Sequence, residues 1–139
     1  MRYLLDTDTF SHLQTGNENI KKRLSNPNNE FGISIVTKAE VLSGRYAFLL
    51  KAENAEILAK AQNRLSESEK LLAQFPINEF NKDSLAKFDE LRQNRKYRKI
   101  GRADMLIASI CLANRAVLVT RNIKHFKQFP NLEIENWVD

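Results

Sequence analysis

Apolar and polar positions alternate in blocks along this chain, and the blocks predict strands followed by helices. Residues 2 to 6 (Arg-Tyr-Leu-Leu-Asp) form a short apolar run closed by an acid, which suits a buried strand of a parallel sheet. Residues 31 to 35 (Phe-Gly-Ile-Ser-Ile) read as a second strand. A helix follows from Thr37 to Leu50, with Thr37 as N-cap and Glu40 completing a capping-box spacing. Ala55 to Leu72 is a second long helix rich in Ala, Leu, Lys and Glu, so the two predict a projecting helical hairpin. Phe75-Pro76-Ile77 suits a short third strand, and Leu85, Phe88 and Leu91 mark one face of a further helix. Ala103 to Arg115 is helical with a wide apolar face, and Ala116 to Thr120 (Ala-Val-Leu-Val-Thr) is a buried strand. Strands alternating with helices predict an α/β sandwich around a mostly parallel central sheet.

Within this pattern three acids interrupt apolar stretches. Asp6 ends the first run, Glu40 lies in Thr-Lys-Ala-Glu-Val-Leu-Ser-Gly, and Asp104 lies in Gly-Arg-Ala-Asp-Met-Leu-Ile-Ala. Carboxylates in such places protonate unless hydrogen bonds or a cation stabilise them, and several together repel one another. Asp6, Thr120 and Asn122 follow strands, whereas Glu40 and Asp104 fall in the first turns of helices, so all point to the carboxyl edge of the sheet. Each has an ordinary structural explanation: a capping box for Glu40, and compensation of the helix dipole for Asp104. Their shared placement favours convergence on a divalent cation.

These segments, with Leu-Val-Thr-Arg-Asn-Ile-Lys-His-Phe and the closing Leu132-Glu133-Ile134-Glu135-Asn136-Trp137 strand, resemble the PIN-domain ribonucleases over the whole chain. The likeness is nearest to the VapC toxins of bacterial type II toxin–antitoxin systems. The resemblance implies a single PIN domain over 1–139, a PIN-like α/β/α sandwich with a protruding helical hairpin, and metal-dependent endoribonuclease activity. It maps the metal-binding acids to Asp6, Glu40 and Asp104, and a site hydroxyl to Thr120. It further implies a homodimer, and a small antitoxin covering an apolar groove near the first helices. Phe10, Leu13, Ile20 and Leu24 lie in that region, though their spacing equally fits a core.

One position departs from the family pattern. Many relatives carry an acid two residues after the strand-ending Thr or Ser, and this chain has Asn122. Asn lowers the charge of the site by one yet still accepts a hydrogen bond. Asp8, two residues beyond Asp6, could compensate, although it also suits an N-cap of the first helix. Oxygen donors with few imidazoles and no thiolate cluster favour Mg²⁺ or Mn²⁺.

Charge narrows the substrate. The 139-residue chain carries a formal +5 with a sequence pI near 9.4. Arg92, Arg95, Lys96, Arg98, Lys99 and Arg102 form a run without an acid that leads to Asp104. Such a run beside an acidic site suits an RNA backbone, with Tyr97 available for base stacking. A solvated helix end explains it without a substrate. Cys111 is the single cysteine and sits on an apolar helix face, which indicates a core thiol. His12 and His125 lack ligand-like neighbours in sequence, and His125 falls near the proposed site. There is no signal-like start and no apolar stretch of about 18 residues, so the expectation is a cytoplasmic protein without a membrane partner.

Two other classes compete. Asp6-Thr7-Asp8-Thr9 resembles the Asp-x-Asp motif of haloacid-dehalogenase phosphatases, but the Gly-Asp-x-x-x-Asp motif that class needs is missing. The alternative within the PIN fold is a catalytically weakened RNA- or protein-binding module whose site has decayed at Asn122.

Overall fold

A computed structural model describes residues 1–139. Five parallel strands form one sheet: β1 (Arg2–Leu5), β2 (Glu30–Ser34), β3 (Ile77–Asn78), β4 (Val117–Val119) and β5 (Ile134–Glu135). Their spatial order is β3-β2-β1-β4-β5. The order reverses between β1 and β4, and in such sheets the crevice outside the carboxyl ends at the reversal is where ligands bind.

Successive residues of the central strands face opposite sides of the sheet, and each side has its own core. Leu4 and Leu118 pack with α6 (Arg102–Asn114), α7 (Ile123–Phe126) and Leu91 of α5 (Lys82–Gln93). Leu5, Ile33 and Val119 pack instead with α1 (Thr7–Gln14), α2 (Glu18–Leu24), Leu72 and Trp137. The predicted α/β/α layering is therefore present. Helices α3 (Ile35–Leu50) and α4 (Ala55–Leu72) pack on each other as the predicted hairpin, and Tyr46, Phe48, Leu50 and Leu58 remain exposed on it. No helix is long and apolar enough to cross a membrane.

Several local expectations are corrected. Helix α3 starts earlier than expected: Ser34 is its N-cap and accepts from the Thr37 N–H at 3.1 Å, so Thr37 lies inside the first turn and forms no capping box with Glu40. Asp8 does not cap α1, because Asp6 does. Arg115 does not continue α6 but ends it in the left-handed region at φ 53°. Leu85 is exposed, whereas Leu91 is buried and Phe88 packs at the core margin. The terminal strand shrinks to two residues, Ile134–Glu135. Phe10 and Ile20 are wholly buried, as a core reading requires.

Gly32 lies in the middle of β2 beneath the β3 connection. A Cβ there would stand 2.7 Å from Asn78 Nδ2, 3.1 Å from the Pro76 carbonyl and 3.3 Å from Leu4 Cδ2. The side-chain amide can move, but the backbone carbonyl cannot without parting the strands. Gly32→Ala should therefore destabilise the fold by about 1–3 kcal/mol, the usual range for overpacking. Chemical denaturation measures this, and an unchanged midpoint would show that β3 yields freely.

Candidate active site

The acids meet where the topology directs them. A cleft of about 340 Å³ at the carboxyl edge is lined by Asp6, Thr7, Asp8, Glu40, Asp104, Ile107, Arg121, Asn122 and Phe126. Four of these nine are carboxylates from three separate segments, with a single Lys or Arg among them.

Asp6 follows the last residue of β1, and its N–H donates to the Val119 carbonyl at 3.0 Å, fixing it beside β4. Its carboxylate caps α1 by accepting from the Thr9 N–H at 2.8 Å. Thr9 is in turn anchored, because its hydroxyl donates to the Val119 carbonyl at 3.1 Å. Only 8% of Asp6 is exposed. Burial raises its pKa above the ordinary value, while hydrogen bonds from Thr120 and Thr9 oppose the rise and the Asp8 charge adds to it.

Glu40 projects from α3 and is exposed. The Thr7 hydroxyl donates to its Oε1 in a short hydrogen bond, and the Thr37 hydroxyl lies 3.2 Å from that of Thr7. Thr7 thus ties the start of α1 to α3 and orients the carboxylate. Asp104 stands on the first turn of α6, where the positive end of the helix favours its charge. Its Oδ2 lies 3.0 Å from His125 Nε2 on α7. That nitrogen is buried without a well-directed hydrogen bond, so the pair is close in distance but unaligned.

Asn122 caps α7 without using its side chain, which leaves the amide to the cleft. Thr120 is wholly buried and does not line the cleft. Its hydroxyl accepts from the Asn122 N–H at 3.0 Å, and its nearness to Asp6 lowers that carboxyl's pKa against the rise from burial. Asp8 does reach the cleft, but it is drawn towards His12 at 3.7 Å and Arg121 at 3.8 Å. Sequence reasoning missed Thr7 and Arg121 and undervalued both histidines, whose neighbours are distant in the chain except for the Asp8–His12 helical spacing.

The basic segment stands apart from the cleft lining. Arg92, Arg95, Lys96, Arg98, Lys99 and Arg102 are exposed, and none lines the cleft. Arg92 pairs with Asp89 at 2.8 Å, and Arg102 lies over the Phe88 ring at 5.7 Å. Tyr97 cannot offer its ring to a base as expected. It is buried and stacked on Phe129 with centroids 4.8 Å apart, because the short 3₁₀ turn Arg95–Tyr97 points it into the core. Cys111 is buried as a core thiol, and burial pushes its pKa up.

The donors fit a hard cation. They are oxygens, they concentrate negative charge, and Asp6 sits in surroundings that penalise its charge. No three of the His, Cys, Asp and Glu side chains already stand in a chelating arrangement.

A family model for the PIN domain matches residues 3–132. The chain belongs to the PIN domain family. It is 34% identical to ribonuclease VapC2 of Rickettsia felis over 99% of this chain and 98% of that one. Among solved structures, VapBC2 from Rickettsia felis, bound to a DNA fragment from its promoter, superposes with a TM-score of 0.78 at 31% identity, covering 99% of each chain. VapBC-1 from nontypeable Haemophilus influenzae gives 0.81 at 25% identity, covering 100% of each. The acidic cleft of this PIN domain is thus set in a fold shared along the full length with those proteins.

The Asp6 environment has a measurable consequence in metal-free protein. A carboxyl whose pKa is raised on folding makes the native state the better proton binder, so its contribution to stability falls as pH rises from the unfolded value of 3.8 through the folded one. Asn at this position keeps the cap and removes that slope. Asp6→Asn with chelator present should melt at or above the wild-type temperature at neutral pH, with the difference shrinking in acid. A variant that melts lower across the whole range would assign the carboxylate a structural role.

Proposed function

We propose that this chain is a metal-dependent endoribonuclease toxin of a type II toxin–antitoxin pair, which hydrolyses RNA phosphodiester bonds and is held inactive by a cognate antitoxin. The observation that carries this reading is the convergence of Asp6, Asp8, Glu40 and Asp104 at the topological reversal of a PIN fold. The relatives named as VapC ribonucleases and the VapBC complexes support it.

Asp6, Glu40 and Asp104 would hold Mg²⁺ or Mn²⁺, with Asp8 and Asn122 at its margin. Such an ion supplies charge neutralisation at the phosphate and a more acidic water. The protein groups do the positioning: the Thr9 N–H aims Asp6, Thr7 aims Glu40, and Asp104 stands on the first turn of α6 beside His125. Ile107 and Phe126 form the apolar wall of the cleft. We assign to the basic segment Arg92 to Arg102 a contact with the RNA backbone outside the cleft, since its side chains are exposed and it leads into α6. A groove of about 550 Å³ lined by Leu13, Leu24, Leu71 and Phe75 supports docking of an antitoxin segment with apolar side chains. The exposed apolar residues of the hairpin support a homodimer. We read the chain as one domain acting in the cytoplasm. Asn122 favours one competing reading, a weakened PIN module that binds RNA without cutting it.

Asp6→Asn and Asp104→Asn should each reduce RNA cleavage more than about 100-fold, beyond the loss expected for residues that only support a ligand. Wild-type rates in either variant with Mg²⁺ or Mn²⁺ would remove that residue from the site. Wild-type protein that binds RNA but never cuts it with either ion would establish the weakened module.

The basic segment is tested separately. Neutralising Arg95, Lys96 and Arg98 together should weaken RNA binding and lower the slope of log affinity against log salt by roughly 0.7 for each phosphate no longer neutralised, while leaving cleavage-site preference unchanged. An unaltered slope would return the segment to a solvated helix end.

A further inference from the structure

The one cation that lines the acidic cleft is Arg121, and none of its contacts commits it. Nη1 lies 3.2 Å from His12 Nε2 and 3.8 Å from Asp8 Oδ2, and Nε lies 3.5 Å from Asp139 Oδ2. A committed guanidinium–carboxylate pair closes to about 2.7–2.9 Å, often through two parallel hydrogen bonds. Here both carboxylate contacts are longer, and the side chain is 44% exposed, so each holds weakly. Asp139 is itself engaged elsewhere, accepting from Asn136 Nδ2 at 2.9 Å. The fork is therefore suspended between two carboxylates at the mouth of a cleft that the basic side chains of the Arg92 to Arg102 segment do not line.

We infer that Arg121 is the phosphate-binding residue of the cleft, taking a backbone phosphate of RNA next to the one that is cut, and that Asp139 is a weak competitor for its guanidinium until RNA arrives. This rests on the reading of the chain as an RNA-cleaving enzyme. The chemistry follows from the guanidinium, whose planar array of donors matches two phosphate oxygens at once, which a lysine ammonium does not. Exchange of partners is favourable because a phosphate brings better geometry than contacts at 3.5 and 3.8 Å. Arg121 also offsets the repulsion that four carboxylates would otherwise exert on an approaching polyanion. His12, on the same side of the guanidinium as Asp8, limits its swing.

The test is equilibrium binding of labelled single-stranded RNA of mixed sequence to Asp104→Asn protein in Mg²⁺, so that the probe survives. On that background Arg121→Gln should weaken binding several-fold and lower the salt slope by roughly 0.7, the value for one phosphate contact on a single strand. Arg121→Lys should keep the slope while losing part of the affinity. Asp139→Asn should bind about two- to fivefold more tightly, because it frees the guanidinium. A slope unchanged in Arg121→Gln overturns the inference, as does a Lys variant that loses as much slope as Gln, or an Asp139→Asn variant that binds more weakly. Melting temperatures taken in parallel separate these results from unfolding, and the Lys and Asp139 variants keep the test open if Gln does not fold. A parent that binds no RNA would instead refute the RNA reading itself.

Discussion

The rest of the site is arranged around one carboxylate, that of Asp6, held where water scarcely reaches it. Asp6 is forced inwards by its position: β1 is a central strand, and the residue after it is pinned to β4 through the Val119 carbonyl. Burial raises its pKa, and the fold answers with donors from Thr9 and Thr120. Both threonines are wholly buried, and both are tied to the end of β4, one through Val119 and the other through Asn122. The Asp6 N–H and the Thr9 hydroxyl both donate to the Val119 carbonyl, and these two bonds join the segment after β1 to the end of β4, across the topological reversal.

The other acids are held by looser means, and the difference is physical. Glu40 and Asp8 are exposed, and Asp104 is only partly buried, so solvent screens them and single partners suffice to aim them. Thr7 serves Glu40, and Asp104 has His125 close by without an aligned hydrogen bond. The cleft therefore has one desolvated carboxylate at its base and others that water reaches.

How much of this could be read in the chain follows from the range of the interactions. Asp6, Glu40 and Asp104 were legible because each breaks an apolar run, and their common edge followed from parallel strand order, a property of the whole pattern. The N-cap of α3 was misplaced because Ser34 and Thr37 are both good caps three residues apart, and only the strand end decides between them. Tyr97 looked like a surface aromatic amid six cations, yet the 3₁₀ turn rotates it onto Phe129. Thr7 and Arg121 carried no local signal. Their partners Glu40 and Asp139 are brought to them by tertiary packing alone.

Asn122 gains a different meaning in this setting. As a neutral replacement for an acid it lowers the negative charge of the cleft, and the simplest compensation would be Asp8 moving in. In the structure Asp8 instead stands at the mouth, 3.7 Å from His12 and 3.8 Å from Arg121. The three residues that follow β4 contribute differently: Thr120 buries its hydroxyl near Asp6, Arg121 brings a positive charge to the cleft, and Asn122 leaves a polar group without adding repulsion. Coulomb terms of both signs therefore act over the same few ångströms of the cleft, while the positive charge of the Arg92 to Arg102 segment lies outside its lining and leaves the carboxylates without further neutralisation.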